Sequence, residues 1–157
     1  VYWDLPADCF LTGVAVAVSS DDVKMMKLTY RRLNDDCSFS GSMHYTAGSS
    51  PTMSAEQSYT VPSGYAITGL GLLVENNNVT RMLIRYRELI PAGGGGFVLG
   101  YEQTANRGNN SSLEVSISTS NISSWANSNT VLTGLGLRAQ NSGIYQIEMR
   151  GGRLQTL

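Results

Sequence analysis

Thr12-Gly13-Val14-Ala15-Val16 recurs as Thr68-Gly69-Leu70-Gly71-Leu72 and again as Thr133-Gly134-Leu135-Gly136-Leu137, at offsets of 56 and then 65 residues. A pattern that returns three times restricts the fold to arrangements in which one supersecondary unit is used repeatedly. The match runs on without a gap. Val23, Val79 and Ile144 fall in register, then Met26, Met82 and Ile147, then Leu28, Ile84 and Met149, then Leu33, Leu89 and Leu154. Upstream, Trp3 matches Tyr59 and Pro6 matches Pro62, while Trp125 stands one place out of step in the third copy. At 157 residues the chain is expected to form a single domain, divided by the repeat into about 1–56, 57–121 and 122–157, with sheets completed across those boundaries.

Each copy alternates bulky and small residues, as in Val14, Val16 and Val18 against Gly13, Ala15 and Ala17. That period of two predicts a strand with one bulky face. A polar link follows at Ser19 to Asp22, Glu75 to Asn78 and Gln140 to Gly143, after which alternation resumes with Met26, Leu28 and Tyr30 against Lys27, Thr29 and Arg31. Each copy therefore reads as a β-hairpin, with its long basic side chains toward solvent. Weaker strand signals lie at Phe97 to Tyr101 and at Leu113, Val115 and Ile117, separated by Gly93 to Gly96 and Asn106 to Asn110. A hairpin cannot hide its own apolar face, so three equivalent ones gain most by turning those faces to a common axis as a three-sided prism. A closed barrel or a three-bladed arrangement is the competing architecture.

Charged residues make up 15% of the chain, and Ser, Asn, Thr and Gly carry the polarity, which disfavours long exposed helices. Eleven basic against twelve acidic residues, with no basic cluster, argue against a nucleic-acid partner. No transmembrane segment is expected, because the longest apolar run, Cys9 to Val18, is broken by Thr12 and Gly13 and falls well short of the ~20 residues a span needs. A start at Val1 is what a mature secreted chain or an excised domain would show.

Cys9 and Cys37 flank the first hairpin with no nearby His, leaving one disulfide or two thiols, and the disulfide is the favoured reading. Asn78, Asn109, Asn110 and Asn121 open Asn-x-Ser/Thr triplets in polar, turn-like stretches, although such triplets also arise by chance in a chain rich in Asn and Ser. Disulfide and sequons point to the same oxidising compartment, so a secreted, extracellular glycoprotein is expected.

Gly64-Tyr65-Ala66-Ile67-Thr68-Gly69-Leu70-Gly71-Leu72-Leu73-Val74-Glu75, followed by Thr80-Arg81-Met82-Leu83-Ile84-Arg85-Tyr86-Arg87, resembles the repeat of vitelline membrane outer layer protein I, and the likeness extends over all three copies. Asp21-Asp22, spaced before Leu28 and Arg31, is similar to the paired acids of that repeat. The resemblance implies an all-β fold, a β-prism of three Greek-key sheets with pseudo-threefold symmetry, found in a secreted egg-coat protein and, as an architecture, in lectins and toxin targeting modules. The family's Trp-Gly pairs are absent, and its several disulfides reduce to the single pair Cys9 and Cys37.

Reaction chemistry is thin. His44 is the only histidine and no Gly-x-Ser-x-Gly elbow accompanies it, so no enzyme is expected. Gly134-x-Gly136-x-x-Ala139 mimics a dinucleotide fingerprint but continues as a strand, and Gly93 to Gly96 lacks the Lys-Ser/Thr of a phosphate loop, so no cofactor is expected. Asp21-Asp22 and Asn34-Asp35-Asp36 lack the spacing of a Ca²⁺ loop and read as solvated turn acids, with no metal.

The candidate ligand-binding residues are the polar tips Asp21, Asp22, Asn76, Asn77 and Asn141 and the aromatic set Trp3, Tyr59 and Trp125. For the aromatic set, packing at the prism end is the competing and stronger reading. The leading expectation is a non-enzymatic binding or egg-coat glycoprotein recognising glycans by multivalent display. The alternatives are a homo- or hetero-oligomeric egg storage protein carrying an apolar ligand, for which Leu83 and the methionines could mark a greasy surface although core filling accounts for most of them, or the targeting module of a pore-forming toxin.

Overall fold

The computed structural model describes residues 2–6, 9–19, 22–34, 38–48, 50, 52–75, 78–92, 96–108, 121–125, 130–140 and 143–153. These residues are all-β, with no helix and antiparallel pairing throughout. In chain order the strands are β1 (Tyr2–Asp4), β2 (Cys9–Ser19), β3 (Asp22–Leu33), β4 (Phe39–Ala47), β5 (Gln57–Thr60), β6 (Tyr65–Glu75), β7 (Asn78–Ala92), β8 (Gly96–Leu99), β9 (Gln103–Gly108), β10 (Asn121–Trp125), β11 (Thr130–Gln140) and β12 (Gly143–Arg153).

The three expected hairpins are β2–β3, β6–β7 and β11–β12, and their registers agree residue for residue. Val14 faces Leu28, Leu70 faces Ile84 and Leu135 faces Met149. Each hairpin closes on a pair flanking two turn residues, Ser19↔Asp22, Glu75↔Asn78 and Gln140↔Gly143. Each also carries two bulges at matching places. Thr12, Thr68 and Thr133 are the extra residues on the outgoing strands, and Lys24, Thr80 and Tyr145 on the returning ones. A bulge sharpens local twist, and a device repeated at the same step bends each hairpin in the same way.

Hydrogen bonding groups the strands into two sheets rather than three. One runs β1-β11-β12-β3-β2-β5 with β4 beyond β3, and the other runs β10-β6-β7-β8 with β9 also on β7. In the first sheet, β12 and β3 share the single pair Ile144↔Val23. The short strands cross the repeat boundaries: β5 pairs with β2, β10 with β6, and β1 with β11.

The bulky faces meet in one core. Val14, Val16, Met26 and Leu28 from β2–β3 join Leu70, Leu72, Met82 and Ile84 from β6–β7, each at most 2% exposed. Strands β2, β6 and β11 contact one another. The glycine step that opens each motif has a packing cause at Gly13, where a Cβ would stand 3.1 Å from Thr29 Cβ and 3.4 Å from the hydroxyls of Thr29 and Thr60. A side chain there would push β2 away from both neighbours.

Two expectations need correction. Asn106 to Asn110 reads as a separator, yet Gln103–Gly108 is a strand paired with Arg81–Tyr86. Leu83, expected on the outer face, is buried, and among the described residues the exposed large apolar side chains are Met43, Ile90, Val98 and Tyr101. Ile90 and Val98 form a cross-strand pair where β7 continues past β6.

Candidate binding surface

The polar tips follow directly from the hairpin registers. Asp22 and Asn78 occupy closing pairs, whereas Asp21, Asn76, Asn77 and Asn141 lie outside the described residues. The same holds for Cys37, Asn109 and Asn110. Cys9 opens β2 opposite Arg32 and is 7% exposed. Asn121, expected in a turn, instead begins β10, opposite Leu73. Asn and Asp side chains offer both rigid acceptors and, for Asn, donors, the inventory that paired sugar hydroxyls require.

The aromatic set is placed as the repeat implies. Tyr59 lies opposite Val14 and Trp3 opposite Leu135, which are equivalent positions, while Trp125 lies opposite Gly69, one step off. Tyr59 is half-buried, with its ring 5.9 Å from that of Tyr86, which in turn meets Tyr65 at 5.5 Å. The Arg107 guanidinium stands 4.6 Å over the Tyr59 ring. Burial pushes the Tyr59 phenol up from its ordinary range, and its hydrogen bond with Tyr86 and the nearby Tyr86 charge push the same way against Arg107. Tyr59 thus packs between β2 and β7.

At the other end of the first hairpin, Thr12, Arg31 and Phe39 face the segment Thr60–Tyr65 across a shallow cleft of about 70 Å³. That segment is shaped by a β-turn in which Tyr65 N–H donates to Pro62 O at 3.2 Å and Gly64 takes φ +88°, the conformation a type II turn demands of its third residue. Gly64 O then accepts from Leu89 N–H at 2.9 Å, which ties the turn to β7. Arg31 donates from Nε to Gly41 O at 2.8 Å and from Nη2 to Phe39 O at 3.2 Å, and its guanidinium lies 5.7 Å from the Phe39 ring centre. Arg87, at the equivalent position of the second copy, donates from Nε to Gly100 O at 2.6 Å. The third copy has Gly152 there.

His44 Nδ1 lies 2.9 Å from Thr29 Oγ1 on the exposed outer face. Among the described residues no group of three or more His, Cys, Asp and Glu is placed to hold a metal ion. Among the same residues no helix is long and apolar enough to cross a membrane.

Sequence reasoning missed the Arg31 cleft. The available signal was the recurrence of Arg31 as Arg87 at one repeat position, read only as part of an outer basic face. No family model matches the chain, and no curated protein matches it at a significant level.

Proposed function

We propose that this chain is a secreted, non-enzymatic glycan-binding protein of egg-coat type, built as a β-prism with pseudo-threefold symmetry. The observation that carries the reading is the threefold recurrence of one hairpin register with the same two bulges, the first two hairpins packing into one core. The strand orders β5-β2-β3-β4 and β10-β6-β7-β9 are both Greek-key orders. Together with β1-β11-β12, they make each copy lend a strand to the hairpin of another. A closed prism of this kind would offer the Asp, Asn and Ser residues of three hairpin tips, and several weak sites on one rigid body bind a multivalent surface far more tightly than any one alone. The sequons at Asn78, Asn109, Asn110 and Asn121 support the extracellular setting.

A glycan array with the purified protein tests this, paired with agglutination of cells or glycan-coated beads. Binding to a defined glycan class is expected, with apparent avidity falling about tenfold or more in Asn76→Ala/Asn77→Ala and again when Asp21→Ala is added. An array without signal, together with no agglutination, would remove the glycan-binding reading. The exposed pair Ile90 and Val98 favours a second reading, an oligomeric storage protein with an apolar ligand. A colourless, lipid-free monomer in the same preparation would end that one.

A further inference from the structure

The cleft beside Arg31 lies far from the polar tip of its own hairpin. Thr12, which lines the cleft, lies seven residues before Ser19 at the tip end of β2, about 23 Å along the strand. The cleft therefore goes beyond the proposed tip recognition and does not depend on it. Its chemistry is distinct as well. Arg31 is half-buried, and its partners, the carbonyls of Gly41 and Phe39 and the Phe39 ring, are all neutral. Among the described residues no carboxylate forms an ion pair with it. A guanidinium held by its Nε and one Nη2 proton keeps its other donors and its full charge. In a partly desolvated cleft that charge favours an anionic oxygen far more than it would on an open surface.

The walls decide what carries the anion. Phe39, Val61, Pro62 and Tyr65 supply apolar and ring surface, while Thr12, Thr60 and Ser63 bring hydroxyl-bearing residues to the lining. One cation, flat apolar walls and several hydroxyls suit the apolar face and the hydroxyl edge of a sugar ring. The space between the walls is about 70 Å³, well below that of an enclosed ligand pocket, so the cleft has room for an anionic group and one face of a single ring, with the rest of the ring in solvent. We propose that this cleft is a subsite for a single acidic sugar residue, a pyranose bearing a carboxylate or sulfate, with Arg31 taking the anionic group and the Phe39–Tyr65 walls taking the ring.

Side-chain and backbone amide NMR shifts, followed during titration of the whole chain with glucuronate, glucose 6-sulfate, glucose and acetate, test the proposal. Saturable shifts of Arg31 Nε–H and the Ser63 and Gly64 amides are expected with glucuronate or the sulfate ester. The dissociation constant should be about 1 mM, the level a dozen or so ligand atoms can reach, and should weaken at high salt. Glucose should produce no saturation. Arg31→Lys keeps the charge but loses the fork, and should weaken binding about tenfold. Ser63→Trp, at an exposed turn position, fills the cleft while keeping Arg31 and should abolish binding at an unchanged melting temperature. Shifts as large with acetate alone, or undiminished in Ser63→Trp, would overturn the assignment, as would no saturation with either acidic sugar. Tip-dependent signals on the glycan array would be untouched by that failure, so the two readings separate.

Discussion

Gly48→Ala is expected to destabilise the protein by about 3 kcal/mol or more, enough to shift the urea midpoint of unfolding well outside the range of ordinary surface substitutions. Gly48 follows β4 with φ +129°, a backbone conformation that side chains disfavour. A Cβ there would stand 2.1 Å from Lys24 O, 2.7 Å from Lys24 C and 3.0 Å from Met25 Cα. These are backbone atoms of the β3 bulge and cannot swing aside. The same Lys24 carbonyl accepts from Ser50 N–H at 3.0 Å, so relieving the clash breaks the bond that returns the chain over buried Met25. Gly41 is the internal control. It also has positive φ, at +68°, but a Cβ there would meet nothing within 4 Å. Gly41→Ala should cost only about 1 kcal/mol of backbone strain. Equal and small losses in the two variants would show that β4 does not return as closely over the Lys24 bulge as described.

Leu70→Ala is expected to cost about 3 kcal/mol, within the range seen when a fully enclosed Leu is truncated and the cavity cannot collapse. Leu70 has no exposed surface and belongs to the cluster that joins the first and second hairpins. For a chain of this size the loss corresponds to a fall of about 6–12 °C in melting temperature. Leu83, on the other face of β7 and 8% exposed, provides the contrast. It lies outside the central cluster, between Arg81 and Arg85, so truncation there should cost no more than about half as much. Matching losses from Leu70→Ala and Leu83→Ala, at unchanged dependence on denaturant, would argue against a shared interior face.

These two sites mark what the sequence made legible. Alternation of bulky and small residues locates β2–β3, β6–β7 and β11–β12, and the four-residue polar links place their turns, because burial on one face forces a period of two. Strand β9 carries no such period, and in β4 Phe39, Met43, Tyr45 and Ala47 alternate with polar residues although only Tyr45 and Ala47 pack against the core. Ser40, Gly41, Ser42, His44 and Thr46 are exposed, as are Gln103, Thr104, Asn106 and Arg107, so these peripheral strands are held by backbone pairing that leaves little trace in side-chain chemistry. Leu83 was misread for a related reason. Its neighbours Arg81 and Arg85 make the strand face look polar, yet long basic side chains can shelter an apolar residue between them.

The candidate site was legible only in part. The register places Trp3 and Tyr59 at equivalent steps, as the repeat leads one to expect. The Arg31 cleft depends instead on a turn at Pro62–Tyr65 that approaches from the next copy, a long-range juxtaposition that no local pattern encodes. Gly48 is similar, since its need for a missing side chain is created by Lys24, a bulge on a different strand.

The most direct test of three equivalent hairpins forming one structural unit is native-state hydrogen exchange resolved to individual amides. The core amides of β2–β3, β6–β7 and β11–β12 should open with the same global free energy, within about 1 kcal/mol, because no hairpin can leave without exposing the faces of the other two. Exchange from β11–β12 at a much lower free energy than from the other pairs would contradict the account, since it would make the third copy an independent appendage rather than a wall of the common core.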